Sequence, residues 1–271
     1  MSTVIALASS KGGTGKTTTA LNLAVAWAEM GRRCLLVDLD PQGGVGLALA
    51  KGEREWAGLV EALQGSIPAS EARVKTRLPS LSLLPRGRLD AADTLVFEQL
   101  VAGDRRLRDL VEGERREFDY LLLDCPSGLG AVPRAAFAAT DFVLLPLQVE
   151  PLALRSIGQL LRVLAEVRRL ENPHVALLGI LPTMVDLRHD TALNVMSAAW
   201  RELACVLDIC VPRHEVFARA SEAGVPVSFL GGRVPPEARR FHSLAVEIET
   251  ILQTLQQPSG EADAPLSRQL V

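Results

Sequence analysis

Ser10-Lys11-Gly12-Gly13-Thr14-Gly15-Lys16-Thr17-Thr18 separates an apolar run at residues 4–8 from an amphipathic stretch at residues 17–29. Strand, glycine-rich loop and helix in that order form the context in which a phosphate-binding loop works. Gly12, Gly13 and Gly15 free the backbone to curl, so that N–H groups and the next helix's N-terminus face an anion. Lys16 is placed to reach β- and γ-phosphates, and the Thr17 hydroxyl to ligate Mg²⁺. The expected nucleotide-binding set is Lys11, Gly12, Gly13, Thr14, Gly15, Lys16, Thr17 and Thr18. A glycine-rich turn that binds nothing would have no need of the closing Gly-Lys-Thr. The plain pattern asks for glycine where this chain has Ser10, so the loop is a variant, and Lys11 is its informative departure. A lysine leaving its own loop lacks a partner there, yet it is able to cross to a phosphate held by a second subunit.

Outward from the loop, short apolar runs recur at residues 34–37, 81–84, 120–123, 142–147, 175–181 and 205–211. Most are continuous, as for strands covered on both faces. Helical patterns fall between them, at residues 56–64, 105–112, 152–170, 191–203, 216–223 and 236–256. The alternation predicts an α/β fold: a doubly wound, mostly parallel sheet with helices on both faces. Right-handed crossovers then bring the loop and the aspartates that end two strands to the carboxyl edge, where such sheets bind ligands. We expect a single domain over residues 1–257 and a polar, disordered tail over residues 258–271.

Composition narrows the partners. A net charge of −3 gives no global attraction to nucleic acid, so any DNA contact must come from a local patch. Four cysteines without a C-x-x-C pair, and no secretory signal, fit a reduced cytoplasmic location. No apolar run approaches the roughly 18 residues of a membrane span. Only four of the 29 basic side chains are lysines, and two of those sit in the loop. Either compact ammonium groups are needed there or codon bias has raised the arginine count.

Three further segments share the loop's order and spacing: Val37-Asp38-Leu39-Asp40-Pro41-Gln42-Gly43, Asp119-Tyr120-Leu121-Leu122-Leu123-Asp124-Cys125-Pro126, and Leu181-Pro182-Thr183-Met184-Val185-Asp186. Together with the loop they resemble the deviant Walker A ATPases of the ParA/MinD superfamily over about residues 2–256. The first resembles that family's switch I, the second its Walker B strand and switch II, the third a late strand abutting adenine. The P-loop NTPase fold, ATP and Mg²⁺ follow as implications. The resemblance makes Lys11, Lys16 and Asp40 catalytic, with Asp40 positioning the attacking water. Thr17 and Asp124 would hold Mg²⁺, while Asp38 orients either the metal shell or the loop. Thr183, Pro212 and Arg213 resemble purine contacts. Arg188, Arg219, Arg239 and Arg240 resemble a nonspecific DNA-binding face, among acidic neighbours that make a solvated mixed-charge surface equally compatible.

Gly12 admits two readings, a gap for a partner's lysine and a positive-φ turn. Ser127 and Gly128 stand where the family often has a second proline, which leaves switch II freer to flex; Gly44 and Val45 also depart from the family. The resemblance implies a short ParA-like ATPase, without an N-terminal DNA-reading domain. It would dimerise on ATP, bind nucleoid DNA, and hydrolyse ATP when a ParB-like or other adaptor stimulates it. Two alternatives share the loop. A MinD-like membrane regulator would use the last helix, whose stripe Leu244, Ile248, Ile251, Leu252 and Leu255 otherwise closes the sheet. Glu247, Glu249 and the lack of basic residues from 243 to 257 argue against lipid binding. An iron–sulfur carrier or reductase would need paired cysteines, and Cys205 and Cys210 would face opposite sides of an expected strand.

Overall fold

The computed structural model describes residues 2–49, 56–89, 93–150, 153–186 and 205–256. β1 (Thr3–Ser9) is buried along its whole length. Its alternation sends Val4, Ala6 and Ala8 into one core and Ile5 and Leu7 into another. Covering on both faces is why its sequence is a continuous apolar run. Along the chain follow α1 (Lys16–Glu29), β2 (Cys34–Asp38), α2 (Gly44–Leu49), α3 (Leu59–Leu63), α4 (Ala69–Ala72), β3 (Val74–Lys75) and β4 (Leu81–Leu84). Then come α5 (Thr94–Ala102), α6 (Arg106–Glu114), β5 (Tyr120–Ser127), α7 (Ala131–Ala138), β6 (Phe142–Gln148), α8 (Ala153–Leu170) and β7 (Ala176–Thr183). The described chain ends with α9 (Glu215–Ala223), a 3₁₀ turn (Val227–Phe229) and α10 (Pro236–Gln256).

The strands form one sheet in the order β3-β4-β2-β5-β1-β6-β7. Every pairing is parallel except that of the two-residue edge strand β3 with β4. One face carries side chains from α3, α5, α6, α7 and α8, the other those of α1 and α10. Trp27 of α1 stacks on Tyr120 at 4.1 Å between ring centroids, and the Tyr120 hydroxyl donates to Glu249 of α10. Leu244 and Ile248 of α10 are wholly buried and Leu252 nearly so, whereas Leu255 is exposed. The apolar stripe of α10 therefore closes the sheet and leaves little to offer a bilayer. Among the described residues, no helix is long and apolar enough to cross a membrane.

One expected strand is not formed. Residues 205–212 meet β7 and the residues just after it through two isolated bridges, Ile180–Val206 and Val185–Pro212, and not through a continuous ladder. The ladder starts, with Ile180 N–H donating to Cys205 carbonyl and Leu207 N–H to Ile180 carbonyl, and resumes at Val211 N–H to Pro182 carbonyl. Between those points the Asp208 and Ile209 N–H groups donate to the Glu247 carboxylate of α10, at 2.7 and 3.1 Å. A side chain has captured the Ile209 N–H, which a strand would have turned to β7, together with its neighbour. Gly179 permits the close approach, since a Cβ there would lie 2.8 Å from the Leu207 side chain.

Some elements escaped sequence reading. The Ala131–Ala138 helix has proline third in its first turn, where the missing N–H is harmless. In α5 only Phe97 and Val101 are buried, while Leu95 and Val96 are exposed, which blurs the helical period. The helix expected at residues 191–203 and the tail at 258–271 lie outside the described residues.

Candidate nucleotide-binding site

The loop between β1 and α1 is shaped by two glycines in the left-handed region, Gly13 at φ 72° and Gly15 at φ 84°. Gly15 is the N-cap of α1, with no side-chain cap and no acidic residue in the first turn. The helix's first N–H groups are thus left for an anion. Gly12 is not in the positive-φ region, and a Cβ there would meet only the Ser127 hydroxyl, at 3.7 Å. Of the two readings of Gly12, the positive-φ turn is not the conformation that the backbone adopts.

Lys11 and Lys16 have opposite environments. Lys11 is exposed, its backbone N–H donates to Ser9 Oγ at 3.4 Å, and its ammonium has no partner among the described residues. Lys16 is buried, and its Nζ donates to Ser127 Oγ at 2.7 Å. Burial lowers the Lys16 pKa, while Asp124, foremost among its acidic neighbours, favours the charged form. Thr14 is buried beneath the loop and its carbonyl accepts the Thr183 hydroxyl at 2.9 Å, across 169 residues of sequence. The Thr183 side chain therefore anchors the phosphate loop.

Two aspartates meet at the carboxyl edge, paired in register as Asp38 of β2 and Asp124 of β5. Both are fully buried. Asp38 Oδ1 accepts the Asp40 N–H at 3.1 Å and Oδ2 the Val45 N–H at 3.0 Å. Of the two roles expected for Asp38, its hydrogen bonds are those of the loop. Burial pushes its pKa up to about 7, against the pull of these backbone donors. Neither carboxylate oxygen of Asp124 has a hydrogen bond of acceptable geometry, although the Thr17 hydroxyl is near enough to favour its charged form. Burial, and then the neighbouring Asp38, push its pKa up to about 8. Two bare carboxylate oxygens beside a threonine hydroxyl are a hard-oxygen donor set, which suits Mg²⁺. No group of three or more His, Cys, Asp or Glu among the described residues is able to hold a metal.

Asp40 is half-exposed and begins a tight turn, its Oδ1 accepting the Gln42 N–H at 2.9 Å and its carbonyl the Gly43 N–H at 2.8 Å. Arg86, just after β4, clamps this turn by donating to the carbonyl of Pro41, with weaker bonds to those of Gly87 and Leu89. Sequence reasoning missed Arg86, since nothing local distinguishes it from the other arginines. It also treated Ser127 only as a departure from the family. On the other side of the turn, a Cβ on Gly44 would sit 3.2 Å from Thr17 Oγ1, so α2 abuts the metal-side hydroxyl.

At the far end of the edge, Arg213 N–H donates to the Val185 carbonyl at 3.0 Å, which brings the Pro212-Arg213 segment beside the end of β7. Arg213, Arg219 and Arg239 are exposed. Arg240 is half-buried and donates to the Cys210 carbonyl at 3.3 Å, so it is engaged within the fold. Arg188 lies outside the described residues. All four cysteines are free. The opposed facing expected of Cys205 and Cys210 rested on a strand that is not formed; Cys210 is buried beneath Arg240.

A family model described as an AAA domain matches residues 2–177. The chromosome partitioning protein ParA of Caulobacter vibrioides is 37% identical over 229 residues, covering 83% of this chain and 85% of that protein. The chain belongs to the ParA/MinD superfamily. A second relative, the chromosome-partitioning ATPase Soj of Thermus thermophilus, is 37% identical over 254 residues, covering 92% of this chain and 96% of its own. Among solved structures, cobyrinic acid a,c-diamide synthase of Mycobacterium smegmatis with bound ADP and magnesium superposes with a TM-score of 0.78. It is 29% identical and covers 97% of this chain and 100% of that one. Members of this superfamily are ATPases, and this chain carries their sheet and loop. The synthase carries them under another chemistry, so the finer function rests on the site and not on the fold.

Proposed function

We propose that this chain carries a ParA-like ATPase domain that binds ATP with Mg²⁺, closes into a homodimer and positions DNA or other cargo in the cytoplasm. The carrying observation is the contrast of the two lysines: Lys16 buried in the loop, Lys11 exposed and unpartnered beside an open Gly12. In the closed dimer each Lys11 reaches its neighbour's phosphates. Lys16 and the loop N–H groups of Gly13 to Thr18 neutralise charge on the same nucleotide. Bound Mg²⁺, held by Thr17 and through water by Asp124, would offset the charge that develops between the β- and γ-phosphates. Asp40 has one carboxylate oxygen taken by Gln42 and the other left to orient the attacking water. Loss of the γ-phosphate removes what Lys11 reaches for, and the dimer opens.

Exposed Arg213, Arg219 and Arg239 offer a phosphate-contacting face, with Glu215 and Glu222 among them. DNA binding of this kind is nonspecific, is switched on by ATP, and weakens steeply with salt. It would place the ATP-bound protein on the nucleoid until a ParB-like or other adaptor stimulates hydrolysis. Chromatography with a nonhydrolysable ATP analogue tests the switch: the wild type elutes as a dimer and Lys11→Ala as a monomer that still binds nucleotide. A dimer indifferent to that substitution overturns the role given to Lys11.

A further inference from the structure

Switch II reaches further into the phosphate site than its sequence suggests. β5 continues to Ser127, which pairs with Ser9 of β1 beyond a register shift, and the Gly128 N–H then donates to the Ser9 carbonyl at 3.0 Å. Gly128, at φ 102°, turns the chain away at once. Ser127 is thereby tied to the last residue before the phosphate loop. Its Oγ lies 2.7 Å from Lys16 Nζ and 3.7 Å from the point a Cβ on Gly12 would occupy. A lysine ammonium has three hydrogens and no acceptor, so in this contact Ser127 must accept. Its own O–H is then left to donate, and the side chain is exposed toward the loop mouth with no acceptor for it among the described residues. A proline at this position would offer neither function.

We propose that Ser127 both positions Lys16 and donates its hydroxyl hydrogen to the terminal phosphate of a bound triphosphate, making it a sensor of ATP against ADP. The proposal rests on the nucleotide-binding reading above. Lys16 keeps two hydrogens for the phosphates while the third stays on Ser127, which holds the ammonium over the loop. ADP lacks the phosphoryl group that the hydroxyl would meet.

The test is calorimetric binding of a nonhydrolysable ATP analogue and of ADP, each with Mg²⁺, to the full chain and to Ser127→Ala, Ser127→Cys and Ser127→Thr. Hydrogen bonds to charged groups predict that alanine weakens the triphosphate about tenfold and ADP less than about twofold. Cysteine preserves the size but is a poor donor, so it follows alanine, whereas threonine restores the preference for triphosphate. Equal losses for both nucleotides, or no loss in alanine and cysteine, overturn the proposal. A wild type that binds neither nucleotide overturns instead the nucleotide-binding reading on which it stands. Unchanged melting of the nucleotide-free variants separates these outcomes from misfolding.

Discussion

Replacing Asp124 by asparagine should stabilise the protein in the absence of nucleotide and magnesium. Asp124 is wholly buried, both its oxygens lack a well-formed hydrogen bond, and burial beside Asp38 raises its pKa from 3.8 to about 8. The sign follows from proton binding. A carboxyl group whose folded pKa exceeds its unfolded one holds its proton longer in the native state, so stability falls as pH rises from about 4 to about 8. At about pH 7 the offset is near three pH units, a ceiling of about 4 kcal/mol. Asparagine has similar shape and no charge, but it brings a buried amide without partners, at a cost of about 1–3 kcal/mol. The net gain should be about 1–3 kcal/mol at neutral pH, and it should reverse to a loss of about 1–3 kcal/mol toward about pH 4, where only the amide cost remains. Urea unfolding in chelator across that range measures it. The same variant should lose the extra stability that Mg²⁺ with a nucleotide gives the wild type, because the negative charge proposed to hold the metal through water is gone. An Asp124→Asn protein less stable than wild type at neutral pH, or a gain independent of pH, would refute the reasoning.

Two further substitutions test parts of the fold that serve the site. Arg86→Ala removes the clamp on the Pro41 carbonyl next to Asp40, so kcat for ATP should fall about tenfold with KM little changed, and Arg86→Lys should recover part of it; a matched change in KM would instead point to lost nucleotide binding. Glu247→Ala strips the acceptor from the Asp208 and Ile209 N–H groups, which should cost about 1–3 kcal/mol and speed hydrogen exchange at those two amides, while exchange in β1 stays slow.

Reading the site from sequence succeeded where the signal is local. Gly13 and Gly15 take the left-handed backbone that the loop pattern allows, and Asp38 and Asp124 pair in register on neighbouring strands. It failed where a side chain's partner lies far along the chain. The Thr183 hydroxyl anchors the Thr14 carbonyl, a bond that no local pattern announced. Arg240 donates to the Cys210 carbonyl, a partner that its sequence neighbourhood does not show. Residues 205–211 carry a strand's composition, yet Glu247 takes two of their donors.

The order of apolar runs and helical stripes, with Gly-Lys-Thr after the first run, determines by itself a doubly wound sheet with a phosphate loop at its carboxyl edge. Burial on two faces and backbone curvature are properties of neighbouring residues, so they are written in short windows. Which hydroxyl faces Lys16, which arginine holds the Pro41 carbonyl, and which aspartate is left with bare oxygens were decided only when distant segments packed. Lys16 and Ser127 are 111 residues apart, and no local pattern specifies a 2.7 Å contact across such a separation.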